Sequence, residues 1–512
     1  MKKVLSIGII FLSVMIFGGC MDQVKITGQK LETGLNNGSV KVDREDEGPS
    51  QGGALNLFML KPDTLNPLTT QNLTVRQLSF FVFDSLFYEG EDGTPENGLV
   101  ESFIFGQDDL ILDIELRDNI AFHDGQALTS DDVAFSVETI LSAGEKSLYL
   151  GHVANIQSVK VFDRLSLRII LKKPDARILE KLTFPIVPKH VFQEWPIEGH
   201  GDNLKLIGTG PFIFDSYKDN DITLSRNEFW WNQQVSGGLS HPIWLDAIAF
   251  KVYLDESEMM EAFQKQEIDV AFLVEGEIEG YAQRSDIFFS QYESNILEFL
   301  IFSTKKDSPI AQEGFRTTLL KYLSWYATLN PINRGEPAFE SLPDFSFPGN
   351  RMDRESTLAA LEVVGFSYQE DKNILFFYKN RAKIPVSLSL KYNAQNGDRQ
   401  AVSEWITTAL YEIGIKVTAE PESYSKQQDF VESGKFEMML LGCQMPLFTD
   451  IAETLGLVRE SLGLTGHNAA IFPLYRKYGA VLYHDYIRGP RTPIWKNIYK
   501  GWSEWYLVNG SE

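Results

Sequence analysis

The sequence predicts an α/β protein built from more than one domain-sized unit. Three observations predict it. Strand-like and helix-like patterns alternate from residue 53 to residue 441. One strand–turn–helix unit is legible in full over Glu115–Leu141. The length of 512 residues corresponds to roughly three domain-sized units.

The chain begins with Lys2 and Lys3, the apolar run Val4–Phe17, and Gly18-Gly19-Cys20. A basic start, a short apolar stretch and small residues before a cleavage point predict a secretory signal over 1–19. The run is too short to span a bilayer comfortably. Cys20 directly after Gly-Gly fits a bacterial lipobox, with Phe17 where leucine is usual, so Cys20 is the expected lipidation site. More than one acyl chain there supplies a stable membrane anchor. Loss of the signal removes Lys2 and Lys3 and takes the net charge from −23 to −23 − 2 = −25. Met21–Gly52 is polar, rich in Gly, Asn, Asp and Glu, and lacks periodicity, which predicts a flexible tether over 20–52.

Composition narrows the function. With 43% hydrophobic and 12% aromatic residues the chain can bury large cores, and a charge of −23 argues against a nucleic-acid partner, because no basic stripe could dominate that field. Two cysteines, Cys20 and Cys443, give neither a disulfide framework nor a metal cluster.

Folded structure is expected to begin with a strand over Gly53–Phe58, followed by a loop over Pro62–Pro67. Phe80–Glu89 places Phe80, Phe83, Asp84 and Phe87 at helical spacing, so a helix facing the core is expected there. Ile111–Leu116 reads as a strand and His123-Asp124-Gly125 as a turn, since Gly tolerates positive φ and Asp bonds its own following backbone. Thr129 or Ser130 can cap the next helix, with Asp131 and Asp132 at the positive end of its dipole. Val133, Val137, Ile140 and Leu141 fall on one face, and Gly144 ends it. Val159–Leu171 alternates as a hairpin around Asp163-Arg164. Ile243–Leu254, Ser257–Gln264 and Glu267–Val270 read as strand, helix and strand. Asn295–Phe302 is a strand, and Asn330–Asn350 is a loop. Ser356–Val364 is a helix, with strands at Ile374–Tyr378 and Ile384–Tyr392. Arg399–Ile413 is the clearest amphipathic helix, burying Val402, Ile406, Ala409, Leu410 and Ile413 before Gly414. Strands at Ile415–Ala419 and Phe436–Leu441 follow.

Catalytic motifs are sparse. Ser303–Lys306 and Ser423–Lys426 fit S-x-x-K, but no S-D-N or K-T-G accompanies them. There is no G-x-S-x-G, H-E-x-x-H or C-x-x-C. Gly208-Thr209-Gly210-Pro211 lacks the third glycine of a phosphate loop, and Pro211 removes a backbone donor. No enzyme activity and no cofactor are expected.

Particular strings carry a resemblance. Leu116-Arg117-Asp118, Phe122-His123-Asp124-Gly125, Leu128-Thr129, Asp132-Val133 and Phe135-Ser136 match the signature of family 5 extracellular solute-binding proteins of ABC transporters, the oligopeptide, dipeptide and nickel group. Ile186–His190, Gly208–Phe212, Arg226–Trp231 and Arg399–Val417 match further strings of that family. The resemblance implies a two-lobed periplasmic-binding-protein-like fold with a hinge and an extra subdomain in the N-terminal lobe. It places that lobe at 53–290 with the inserted subdomain at about 84–205, the C-terminal lobe at 291–475, and a return to the first lobe over 476–512. It implies a monomeric, membrane-anchored, extracytoplasmic receptor that delivers a ligand, a peptide in the main reading, to permease subunits by lobe closure. The alternatives are a nickel or other non-peptide ligand, or a degenerate member acting as a sensor or interaction lipoprotein. Carried over by position, the ligand-binding candidates are Gln71, Leu73, Tyr149, Tyr392, Asn393, Cys443 and Gln444. Leu440, Cys443 and Pro446 stand where oligopeptide binders carry Arg, Trp and Asp, so charged anchoring of peptide termini is in doubt.

Overall fold

The fold is that of a computed structural model describing residues 37–38, 48–90, 93–195, 205–233, 243–273, 278–282, 284–303, 308–332, 334–341, 351–447, 449–464 and 470–508. Cys20, Lys305 and Lys306 lie outside those residues. The chain forms two compact units: Leu35–Tyr292 with Gly479–Glu512, and a second that includes Glu293–Tyr478. The chain therefore passes from the first unit into the second and back.

In the first unit, Ala54–Leu60 pairs in parallel with Ala247–Tyr253, which pairs antiparallel with Asp221–Arg226, and that strand with Phe212–Lys218. A second antiparallel sheet takes the order Val100–Phe105, Ile111–Leu116, Ser166–Leu171, Ile156–Val161. Alternation along Ile111–Leu116 buries Leu112, Ile114 and Leu116 while their neighbours face outward, the period-2 pattern of a sheet with one wet face. The helix Ser130–Ala143 buries Val133, Val137 and Ile140. Both sheets and this helix contribute to one core, which also takes Val481, Tyr483, Tyr499 and Trp505 from the end of the chain.

The second unit is built on Ser387–Asn393, which pairs in parallel with Lys416–Glu422 on one side and Met438–Gln444 on the other. Met438–Gln444 pairs antiparallel with Ile287–Phe302 from Ile296↔Gln444 to Phe302↔Met438. The parallel pair Ser387–Asn393 and Lys416–Glu422 needs a crossover, and the helix Gly397–Glu412 supplies it. That helix buries Val402, Ile406, Ala409 and Leu410, and Ile413 and Ile415 beyond it are buried too. Helices Glu313–Leu329, Arg354–Val363, Tyr424–Ser433 and Ile451–Ser461 also belong to the unit, as does a small antiparallel sheet of Phe366–Gln369, Ile374–Lys379 and Ala382–Pro385.

Several expectations need correcting. The helix expected over Phe80–Glu89 instead runs Leu73–Val82 and stops at Phe83, which turns extended (φ −124°, ψ 148°); Phe87–Glu89 is a strand. Phe83 and Phe87 still reach the core, so apolar spacing reported burial and not period. Leu141 is 39% exposed, because the helix packs towards Ser136 and Ile140. Ile384–Tyr392 splits into Ala382–Pro385 and Ser387–Asn393, which belong to different sheets. Within the expected loop Asn330–Asn350, Gly335–Pro337 pairs with Tyr475–Lys477. Within the expected tether, Asn37–Gly38 pairs with Phe289 and Ser290.

Candidate functional site

In the first unit the signature strings fold onto one another. His123 N–H donates to the Gly208 carbonyl at 2.8 Å, and Gly208 N–H donates to His123 Nδ1 at 3.3 Å. His123 Nε2 lies 3.0 Å from the Gly210 carbonyl. An Nδ1 that accepts requires the proton on Nε2, which then donates to Gly210; the ring is neutral, and burial holds it below its ordinary pKa. A Cβ on Gly208 would stand 1.9 Å from the Val82 carbonyl oxygen, and one on Gly210 2.6 Å from the Val82 carbonyl carbon. These glycines are required by close approach.

Asp84 lies beneath that loop, 2% exposed. Its Oδ1 accepts from Tyr88 Oη (2.6 Å); Oδ2 accepts from Trp231 Nε1 (2.7 Å), Thr209 Oγ1 (2.8 Å) and Trp230 Nε1 (3.4 Å). Burial raises its pKa against these four hydrogen bonds, which lower it. Asn227 Nδ2 donates to the Gly210 carbonyl at 3.1 Å. At the other end of the string, Thr129 N–H and Oγ1–H both reach Asp132 Oδ2 (2.9 and 2.7 Å), while Asp132 Oδ1 accepts from Lys189 N–H (2.9 Å). Asp124 Oδ2 lies 2.7 Å from His190 Nε2. The family strings thus lock each other in place, and the reactive-looking His123, Asp124 and Asp132 are engaged in that lock.

Three ligand candidates lie in this unit. Gln71 is exposed; its N–H donates to Asp63 Oδ2 at 2.8 Å and its side-chain amide to the Glu145 carbonyl. Leu73 is the half-buried first residue of Leu73–Val82, which Asn72 caps by accepting from Thr74 N–H at 2.8 Å. Tyr149 is fully buried in the core, with the Arg76 guanidinium 5.7 Å from its ring centre.

The other four candidates lie in the second unit, where the parallel strands end. In α/β sheets ligands bind outside the carboxyl ends of the strands, and Asn393, Glu422 and Gln444 are those ends here. Tyr392 and Asn393 are 7% and 1% exposed, and Cys443 and Gln444 are half-buried. Asn393 Oδ1 accepts from Gln395 N–H at 3.0 Å, while its buried Nδ2 has no hydrogen-bond partner among the described residues. Burial and the nearby Glu298 push the Cys443 thiol up to about 12. The structure brings Tyr392 and Asn393 onto a strand adjacent to that of Cys443 and Gln444.

Two residues beside them were not singled out by sequence. Glu298, 2% exposed, is paired across the strands with Gly442 and receives Arg399 Nε at 2.8 Å and a second guanidinium nitrogen at 3.1 Å. A Cβ on Gly442 would fall 2.5 Å from Glu298 and 2.6 Å from Arg399. A lone carboxylate inside Ile296–Phe302 was the available signal. Asp398 meets Lys477 Nζ at 3.2 Å, and Lys391 Nζ meets Glu420 at 2.5 Å and Glu422 at 3.2 Å. Charges around these strand ends are therefore matched within the unit. Among the described residues, no group of three His, Cys, Asp or Glu side chains could hold a metal ion.

Two α/β units of this construction define a two-lobed binding-protein fold, and solved structures share it. The substrate-binding protein CtaP of Listeria monocytogenes superposes with a TM-score of 0.65 at 18% identity, over 90% of this chain and all of that one. Residues 94–452 match the family described as bacterial extracellular solute-binding proteins, family 5 Middle, and the chain belongs to that family. Among relatives, the oligopeptide-binding protein AppA of Bacillus subtilis (strain 168) is 22% identical over 78% of this chain and 75% of its own length. The nickel-binding periplasmic protein of Escherichia coli (strain K12) is 22% identical over 74% of this chain and 73% of its own.

Proposed function

We propose that the protein is a lipid-anchored receptor that binds peptides outside the cell and delivers them to the permease subunits of an ABC importer, acting as a binder without catalysis. The observation that carries the peptide reading is the grouping of Tyr392, Asn393, Cys443 and Gln444 at parallel strand ends. There an amide donor is buried without a partner among the described residues, while the nearby Arg399–Glu298 and Lys477–Asp398 charges pair with each other. Such a surface suits the carbonyls of an extended backbone, which give affinity with little dependence on side-chain sequence. It offers little to charged peptide termini, in keeping with Leu440 and Pro446; Leu440 is 1% exposed. Lobe closure on the solute, as the family resemblance implies, is part of this reading. A solute drives closure only if it contacts the closed state better than the open one.

Thermal-shift screening against peptide pools, nickel chelates and sugars tests the assignment, because a ligand that binds only the folded state raises Tm. Stabilisation by peptides is expected. A shift from a chelate or sugar with none from any peptide would overturn it. For the anchor, Cys20→Ser is expected to release the protein from membranes; retention refutes lipidation at Cys20.

A further inference from the structure

Arg76 lies on the helix Leu73–Val82 and is 3% exposed. One of its guanidinium nitrogens donates to the Lys496 carbonyl, and its charge rests against the faces of Phe80 (4.8 Å) and Tyr149 (5.7 Å). Its Nε is buried without a hydrogen-bond partner among the described residues, and Arg76 forms an ion pair with no described carboxylate. The buried Tyr149 hydroxyl meets no described partner within strict hydrogen-bond geometry. Burial raises its pKa, and Arg76 and Ser79 stand close enough that hydrogen bonding to each lowers it against that larger effect.

The surroundings are basic. His152 packs edge-on against Tyr149 at 4.9 Å. Burial, followed by the charges of Arg76, Lys496 and Lys181, holds its ring well below its ordinary pKa. The acidic group felt by both Arg76 and Lys496 is Glu89, which is exposed. A buried cation without a counter-charge costs several kcal/mol, and a buried donor left unmade points to an ion or water. Ring faces offset part of this cost but leave Nε unsatisfied.

We propose that Arg76, with the Tyr149 hydroxyl beside it, holds a small monovalent anion, a halide or carboxylate, inside the first unit. The anion accepts from Arg76 Nε and Tyr149 Oη and supplies the charge that the fold does not. It comes either from the medium or as the carboxylate of the bound solute; only the second source rests on the peptide reading.

The test uses the full chain dialysed into sodium gluconate, a bulky anion, as the reference salt. Sodium chloride and sodium formate are then titrated at matched ionic strength while Tm is followed. A medium anion is expected to raise Tm by about 2 °C per tenfold increase above its Kd. The rise is expected to vanish in Arg76→Met and shrink in Tyr149→Phe, a change small enough to preserve the fold. If the solute is the source, chloride and formate do nothing. A peptide with a free terminal carboxylate then stabilises more than its amidated form, and Tyr149→Phe narrows that gap. Equal Tm in all three salts together with equal response to both peptides overturns the proposal. A salt effect that survives unchanged in Tyr149→Phe and Arg76→Lys overturns it as well.

Discussion

Asp84 offers the most exacting test of the interlocked strings, because replacing it separates charge from hydrogen bonding. In Asp84→Asn, the remaining oxygen can occupy the Oδ2 position and accept from Trp231 and Thr209. The new NH2 then faces Tyr88, whose hydroxyl can rotate to accept. Only charge assistance is lost, and the expected cost is about 1 kcal/mol. In Asp84→Leu, of similar size, both indole N–H groups are stranded, since indole can only donate. At about 1–3 kcal/mol for each buried unsatisfied donor, the expected cost is about 2–6 kcal/mol. The pH dependence has a definite sign. Burial raises the native pKa of Asp84 above the ordinary value of 3.8, so the folded state holds the proton more tightly than the unfolded one. The contribution is fully present below pH 3.8 and is lost as pH rises through the native pKa. Urea denaturation followed by tryptophan fluorescence at several pH values reads both quantities. Asp84→Asn is expected to remove that fall in stability on the alkaline side of 3.8. The reasoning is refuted if Asn costs as much as Leu, or if Leu costs under about 1 kcal/mol.

Three further outcomes follow from the packing. Gly208→Ala is expected to destabilise by about 3 kcal/mol or more, and by more than Gly210→Ala, because its Cβ meets the Val82 carbonyl oxygen at 1.9 Å; urea midpoints for the two variants decide the order. Arg399→Leu strands the buried Glu298 carboxylate and is expected to cost about 3–5 kcal/mol, with most of the loss recovered in Glu298→Met/Arg399→Leu; calorimetry on the single and double variants checks the recovery. With the Cys443 thiol pushed up to about 12, the native protein is expected to react with a disulfide reagent at pH 8 far more slowly than the urea-unfolded chain, because the thiolate is the attacking species.

Legibility from sequence followed the range of the interactions. The helix Gly397–Glu412 was readable because its buried residues repeat at helical period and Gly414 closes it. The 163–164 hairpin was readable because Asp163 satisfies its own turn, accepting from Leu165 and Ser166 N–H at 3.0 Å. The end of the first helix at Phe83 was not readable. What stops it is the approach of Gly208 and Gly210 to the Val82 backbone, set by residues more than a hundred positions away. The candidate site divides in the same way. Asn393, Cys443 and Gln444 entered as candidates by matching position alone. The Glu298–Arg399 pair could not be read, because one partner sits in an apolar strand and the other begins a helix about a hundred residues later. Tyr149, taken over by position, lies wholly inside the core. The proposed anion site joins it to Arg76, which no string marked.

The two crossings of the chain also constrain how the protein comes to be made. Val481, Tyr483, Tyr499 and Trp505 belong to the core of the first unit, yet they emerge from the ribosome or the export channel only after all of Glu293–Tyr478. The described part of the second unit is a single stretch, Glu293–Tyr478, and can collapse as soon as its last strand arrives. The first must wait, its apolar surface uncovered, until the closing segment returns. Order of emergence thus makes the larger unit the client of holding chaperones, and makes the last thirty or so residues the step that ends its exposure.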